Sequence, residues 1–386
     1  MPAQETWQEF ASAAARHASR LHLSSVAGKM RGVHRYIRER HPAVQRIALA
    51  LYDSESGLLK TFADSADSGT GPNGFTCRLQ DAPCLVAIAE RGQAQVLDDL
   101  DTKIAPASGR AGWPRDERYG STLTLPLRQD DRLLGFLFFD SRERGAFSEQ
   151  VVADLLPSGQ LIGMIVMQEL STIQMLVAGL RLASEFAHVR DLETGAHLDR
   201  MARYARLIAR ELAPTHRLSD EYVERVFLFA ALHDIGKVGV PDRILLKPGR
   251  LDDKERELMR EHVAVGMQMA ERLIDEFGLA NFANIGMLRN IVSAHHERMN
   301  GSGYPHGLAG DDIPLEARIV ATADVFDAIV CSRSYKPAWT LDLAYEEIAR
   351  MSGDHLYPPA VAALLDCRPE VETIYNRYQE TRLPPH

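Results

Sequence analysis

The apolar residues of this chain change their spacing near residue 148, and no other feature narrows the fold as much. Before that point they come in short, strand-length runs: Arg46 to Tyr52 (RIALALY), Leu58 to Ala63, Ser121 to Leu127 (STLTLPL) and Leu133 to Phe139 (LLGFLFF). The first two flank the turn-forming DSESG and the last two flank the polar RQDDR, so each pair reads as an antiparallel hairpin. After Ser148 the pattern is mostly helical, with long amphipathic segments and few β-branched runs. A length of 386 residues is also too great for one ordinary core. The expected fold class is therefore two-domain, an N-terminal α+β domain with an antiparallel sheet flanked by helices and a C-terminal all-α domain.

Finer organisation follows the same patterns. Residues 1 to about 42 read as helical, with Phe10, Ala14, Leu21, Val26, Met30 and Val33 in loose helical spacing. The stretch between the hairpins holds Gly69, Gly71, Pro72, Asn73, Gly74 and Pro106 to Pro114, and reads as loops and short helices. The helix from Ser148 is expected to break at Pro157-Ser-Gly. Beyond it Val166, Leu170, Ile173, Val177 and Leu180 follow a 4-3-4-3 spacing, the seam of a short parallel coiled coil. The expected division is 1–165 for the first domain, 166–181 for a connecting helix that joins a homodimer, and 182–386 for the second domain.

Charge and cysteine usage exclude several classes. A net charge of −9 argues against holding a nucleic-acid polymer by bulk electrostatics, while leaving room for a small anionic ligand at a local cluster of cations. Cys77, Cys84, Cys331 and Cys367 form no CxxC pair and read as reduced thiols. The N-terminal twenty residues lack a signal-peptide core, and no stretch reads as long enough in apolar residues to span a bilayer. A cytoplasmic protein without a membrane partner is expected.

Ten of the fourteen histidines lie at or after His188, several beside carboxylates. Glu193 and His197, four apart, share one helical face and can bind one ion. His233 and Asp234 end the apolar run Val226 to Leu232, where an unpartnered carboxylate is expensive to bury. Metal ligation removes that expense, and a bridging Asp can hold two cations. His262 lies beside the buried stripe of LMREHVAVGMQMAERL, and His295 and His296 follow the apolar IVSA, placed to serve two neighbouring metals. Asp324 lies in the Ala-rich ARIVATADVFDAIV. Any one of these is more often a satisfied core residue or a surface pair; eight of them over five helical segments are not. Mixed N and O ligands without thiolate suit iron, manganese, nickel or zinc better than calcium or magnesium.

Two resemblances extend this reading. The helix, hairpin, loop-rich middle and closing hairpin TLPLRQDDRLLGFLFFDS resemble a GAF domain over roughly residues 25 to 165, a PAS-like domain being the alternative. The cyclic-nucleotide-binding residues of some GAF domains are not evident, so a regulatory small molecule of unknown identity is implied. In the second half, HHERMNGSGYP (His295 to Pro305) resembles the HHExxxGxGYP signature of HD-GYP domains within the HD superfamily of phosphohydrolases. HDIGKVGVPDRILLKPGRL, IPLEARIVATADVFDAI and SRSYKPA continue the match over about residues 182 to 360.

That resemblance implies a phosphodiesterase acting on cyclic di-GMP. It assigns metal ligation to His233, Asp234, His262, His295, His296 and Asp324. Glu193 and His197 match the extra pair of three-metal members, so two or three divalent transition-metal ions are implied, iron or manganese first. Asp234 and Lys237 are the implied catalytic pair, Lys237 meeting the scissile phosphate. Tyr304 and Pro305 lie on the loop beside bound nucleotide, and Arg333 and Lys336 match a basic pair contacting ligand phosphate or guanine. Ser334 stands where the family usually has proline, and Tyr357 in GDHLYPP stands where Asp-Pro is common.

The implied chemistry is hydrolysis by metal-activated water, whose pKa falls from ~16 towards neutrality on coordination. The linear dinucleotide pGpG is the first product, and a third ion would support cleavage to GMP. Alternatives are a phosphodiesterase for another cyclic dinucleotide such as 3′,3′-cGAMP, a non-catalytic nucleotide receptor, or a di-iron protein. Complete ligands argue against the receptor, and Lys237, Arg333 and Lys336 argue against the di-iron reading.

Overall fold

The computed structural model describes residues 25–54, 56–65, 76–98, 119–188, 195–279, 285–331 and 339–378. The chain divides into two compact units, Met1–Ser171 with Ser219–Glu221, and Thr172–Leu218 with Tyr222–His386.

In the first unit, helix α1 (Val26–Arg40) starts at Ser25, whose hydroxyl accepts the Gly28 N–H at 3.1 Å. It buries Val26, Met30, His34 and Ile37, one face of a helix. Among the described residues six strands follow: β1 (Arg46–Asp53), β2 (Leu58–Asp64), β3 (Thr76–Arg78), β4 (Gln95–Asp98), β5 (Ser121–Gln129) and β6 (Arg132–Ser141). Their order is β3-β2-β1-β6-β5-β4, antiparallel throughout. The two expected hairpins therefore meet at the centre, where Ile47 pairs with Phe139 and Leu49 with Leu137.

Both faces of this sheet are buried, which explains the near-continuous apolar runs. Ile47, Leu49, Leu137 and Phe139 point to one side, where Met30 of α1 joins them. Ala48, Ala50, Phe136 and Phe138 point to the other, under Leu85 and Ile88 of helix α2 (Pro83–Arg91). The segment expected to be loops and short helices thus also supplies β3 and β4, which are three and four residues long. Cys77, Cys84, Cys331 and Cys367 are thiols and not disulfides.

Helix α3 (Glu149–His188) runs through Pro157 without a break, correcting the expected interruption. Proline removes one backbone N–H, but packing holds the turn: Leu155, Ile162 and Val166 are buried in the core with Leu123, Leu125 and Phe139. Gly159 is the point of close approach, since a Cβ there would stand 2.6 Å from Leu125 Cδ2. Val166 and Leu170 belong to this core and not to an exposed seam. The side chains of Ile173, Val177 and Leu180 lie outside the described residues. The part Glu149–Thr172 is long and apolar enough to cross a membrane by length and composition, with a mean hydropathy of 1.4, contrary to the sequence expectation.

The second unit has no strand among the described residues. Its helices are α4 (Gly195–His216), α5 (Asp220–Ala230), α6 (Asp242–Leu245), α7 (Asp253–Glu276), α8 (Ile285–Ala294), α9 (Leu315–Val330), α10 (Leu341–Met351), α11 (Pro358–Asp366) and α12 (Arg368–Arg377), with a 3₁₀ turn at Ile235–Gly239. A capping box starts α7, with Asp252 and Glu255 each satisfying the other's backbone N–H. Helix α9 is the axis of the core, burying Ile319, Val320, Ala323, Phe326, Ile329 and Val330. Its small residues admit α4 closely, and Tyr204 meets Phe326 edge-on at 5.2 Å. Full burial of an aromatic ring such as Phe326 makes truncation to alanine worth about 3–5 kcal/mol.

Candidate metal centre

Five segments of the second unit converge on one polar cluster. His197 lies in the first turn of α4, His262 in the middle of α7, Asp324 in α9, and His295 and His296 directly beyond α8. His233 and Asp234 occupy the turn between α5 and the 3₁₀ segment. That turn is pressed onto α7 at Gly236, where a Cβ would overlap the His262 carbonyl.

These residues form two groups, Asp234 with His262, His295 and His296, and His197 with His233 and Asp324. In each group one ligand atom per residue lies within 4.8 Å of the others. His295 and His296 thus serve the same group, where the sequence reading placed them on two neighbouring ions. Asp234 faces both groups. Its Oδ1 stands 3.1 Å from His262 Nε2 and 3.5 Å from His295 Nε2, while Oδ2 stands 3.0 Å from His233 Nε2 and 2.8 Å from Lys237 Nζ. Asp324 Oδ1 lies 3.8 Å from the Nε2 atoms of both His197 and His233.

The rings are oriented from behind. His233 Nδ1 bonds the Ala230 carbonyl at 2.9 Å, His262 Nδ1 that of Met259 at 2.7 Å, and His295 Nδ1 that of Ile291 at 2.9 Å. A carbonyl accepts only, so Nδ1 carries a proton in each ring and Nε2 is the atom that faces inward. The Nε2 atoms of His233, His262 and His295, and Asp234 Oδ1, are buried and make no hydrogen bond of acceptable geometry. Leaving such atoms unsatisfied costs about 1–3 kcal/mol each, and a shared cation removes that cost. The donors fit a borderline transition metal: imidazole nitrogen and carboxylate oxygen, without thiolate.

Electrostatics agree. Burial, reinforced by neighbouring imidazoles, pushes His295 and His296 below the usual histidine value, so both are neutral and able to ligate. Burial would also lower His233, but Asp234 first and then Asp324 outweigh it and raise its pKa to about 9. Burial opposes the charge of Asp234, yet Lys237 and His233 hold it well below the usual carboxylate range. The centre therefore carries a fixed anion and a proton for an incoming cation to displace.

A loop closes one side. The Tyr304 ring stacks on His296 at 4.6 Å and 27°, and the Arg260 guanidinium lies over Tyr304 at 4.9 Å. Pro305 is exposed at the tip. The loop returns to the chain that supplies the two histidines, because Glu297, 4% exposed, accepts the His306 N–H at 2.7 Å and the Leu308 N–H at 3.0 Å.

The HD domain family model matches residues 192–361, which contain the whole cluster, and the GAF domain family model matches residues 5–167. The chain carries a GAF domain followed by an HD domain. Among curated proteins it is 43% identical over 197 residues to the cyclic di-GMP phosphodiesterase response regulator RpfG of Xanthomonas campestris pv. campestris, 51% of this chain and 49% of that one. It is 38% identical over 201 residues to the cyclic di-GMP phosphodiesterase of Thermotoga maritima, 52% of each chain. It is 40% identical over 177 residues to 3′3′-cGAMP-specific phosphodiesterase 2 of Vibrio cholerae, 46% of this chain and 32% of that one. The chain spans about half the length, or less, of these relatives.

Seven of the eight expected ligands in the HD domain come together: His197, His233, Asp234, His262, His295, His296 and Asp324. Glu193, Arg333 and Lys336 lie outside the described residues. Three residues of the site escaped sequence reasoning: Glu297, which holds the loop, and Asp327 and Arg200, which stand behind His197. Asp327 was open to the same argument as Asp324, being a carboxylate in the same apolar helix.

Proposed function

We propose that this protein hydrolyses the phosphodiester bonds of cyclic di-GMP in its HD domain, using two or three transition-metal ions, iron or manganese. The observation that carries the reading is Asp234, with one oxygen towards each ligand group and Lys237 on the second. A single carboxylate so placed suits a shared ligand between two cations, and the names of the relatives supply the substrate class.

Bound ions would supply a nucleophile at neutral pH and positive charge against the phosphodiester anion. In this reading His262, His295 and His296 would hold one ion, His197, His233 and Asp324 another, and Glu193 would add a carboxylate for a third. Lys237 donates to the non-bridging oxygens of the scissile phosphate, where charge builds in the transition state. Tyr304 and Pro305 border the nucleotide, and Arg333 and Lys336 bind its phosphate or guanine. The first product is pGpG, and a third ion, where bound, would support a second cleavage to GMP. The GAF domain, residues 1–165 including the N-terminal helix, regulates this activity through a small-molecule ligand. The helix over 166–181, in its part beyond the Val166 and Leu170 taken up by the core, joins two copies, leading into an HD domain over 182–386, and the protein works in the cytoplasm. A second reading, 3′3′-cGAMP as substrate, is favoured by the similarity to the Vibrio cholerae enzyme.

The test is turnover of both cyclic dinucleotides by anaerobically purified protein of measured metal content. Release of pGpG or GMP by metal-loaded protein, and its loss on chelation, is expected. Metal-loaded protein that cleaves neither would overturn the reading.

A further inference from the structure

His233, His262 and His295 each lean on a neutral backbone carbonyl, but His197 does not. Its Nδ1 bonds Asp327 Oδ2 at 2.7 Å. That carboxylate is fully buried and gripped by a guanidinium that is itself 1% exposed. Arg200 donates Nε–H to Oδ1 at 2.8 Å and Nη2–H to Oδ2 at 3.0 Å, and Nη1–H to the Tyr378 carbonyl at 2.7 Å. His197 and Arg200 are three apart on α4, and Asp324 and Asp327 three apart on α9. The two helices that carry two of the ligands thus carry the ion pair behind them.

A buried pair of this kind contributes little net stability over apolar residues of similar volume. Tyr204 and Phe326 already provide apolar contact between these helices. What apolar replacements could not reproduce is the effect on His197: a carboxylate behind an imidazole fixes its tautomer and strengthens the opposite nitrogen as a ligand.

The geometry points to Asp327, seated by Arg200, as a positioning residue that makes the two ligand groups unequal. It holds His197 with the proton on Nδ1 and Nε2 turned to His233 and Asp324, and lends that group a negative charge. The group of Asp234, His262, His295 and His296 has no such support at His262 and His295, whose rings lean on carbonyls. Disturbing Asp327 therefore weakens one ion and spares the other. The inference rests on the metal reading above and adds which residue governs which ion.

The experiment titrates the metal-free full chain with Mn(II) alone, read by equilibrium dialysis and electron paramagnetic resonance. Asp327→Asn keeps the shape and removes the charge, and should weaken one equivalent by ~10–100-fold while leaving the other unchanged. At two equivalents the wild type should show a spin-coupled pair, and the variant the six-line signal of isolated Mn(II). The double change Arg200→Met with Asp327→Leu removes the pair without stranding a charge. It should show the same selective loss with native helical circular dichroism. Wild-type protein that binds two ions, with both variants matching it, overturns the inference and leaves the metal reading standing. Equal weakening of both ions also overturns it, because a merely structural pair predicts that. Wild-type protein that binds no Mn(II) overturns the metal reading and this inference together.

Discussion

Replacing Glu297 with alanine should release the loop that carries Tyr304 without unfolding the HD domain. The carboxylate is buried and accepts two backbone N–H groups, from His306 at 2.7 Å and Leu308 at 3.0 Å. A hydrogen bond to a charged group is worth about 1.5–3 kcal/mol. His306 is exposed and Leu308 half-buried, so water recovers part of the loss once the acceptor is gone. A net cost of about 2–3 kcal/mol for local closure remains, on the order of a 30–150-fold shift towards the open loop. Two further ties persist, the N–H groups of Met299 and Asn300 donating to the carbonyls of His355 and Asp354 at 3.1 and 2.9 Å. Opening should therefore be confined to the tip. Hydrogen exchange reads this directly: the His306 and Leu308 amides should lose protection by that factor while the amides of α9 keep theirs. Glu297→Gln offers one acceptor where the carboxylate offered two, and should fall between. The Tyr304 ring would be held less firmly on His296, with only its own N–H still donating to the His296 carbonyl at 3.3 Å, so KM for the dinucleotide should rise with metal content unchanged. Unaltered exchange at His306 and Leu308, or an equal loss in α9, would refute the clamp.

Asp234→Ala should remove bound metal and abolish turnover, since both ligand groups lose a shared oxygen; near-native metal content and activity in this variant would show that the carboxylate is not a ligand. Glu193→Ala should remove one ion of three and let the linear dinucleotide accumulate, which metal counting beside product chromatography checks; an unchanged stoichiometry would return Glu193 to an ordinary surface carboxylate. Metal affinity should rise with pH up to about 9, the value to which Asp234 and Asp324 lift His233. Below that pH a bound ion must displace the proton, so affinity falls about tenfold per unit as pH drops. Calorimetry in buffers of different ionisation enthalpy counts that proton, and a flat profile between pH 7 and 9 would contradict the assignment of His233.

Legibility of the fold depended on element length. Strands β1, β2, β5 and β6 are seven to ten residues long and show their pattern in the sequence. Strands β3 and β4, at three and four residues, are too short for alternation to emerge, and they exist because an edge of the sheet is there to receive them. The pairing of β1 with β6 spans most of the domain and leaves no local mark. Pro157-Ser-Gly misleads for a related reason. Locally it is a helix breaker, and only the tertiary contact of Gly159 with Leu125 turns it into a place where a continuous helix settles onto the sheet.

The site was legible where a charge lies in apolar surroundings with no partner near it in sequence, and illegible where the partner is supplied by the fold. Arg200 stands in DRMARYARL among residues that read as a solvated helix face, and nothing local says that it is buried. Asp324 and Asp327 make the distinction within one helix. Both are carboxylates on α9, three residues apart, and the burial argument singles out each alike. Asp327 is satisfied within the protein, by an imidazole at 2.7 Å and a guanidinium at 2.8 and 3.0 Å. Asp324 reaches only to 3.8 Å from two Nε2 atoms, a separation too long for a hydrogen bond and suited to ligand atoms on a common cation. The burial of a carboxylate therefore marks where a partner must exist, and the distance to the nearest imidazole decides whether that partner is the protein or an ion.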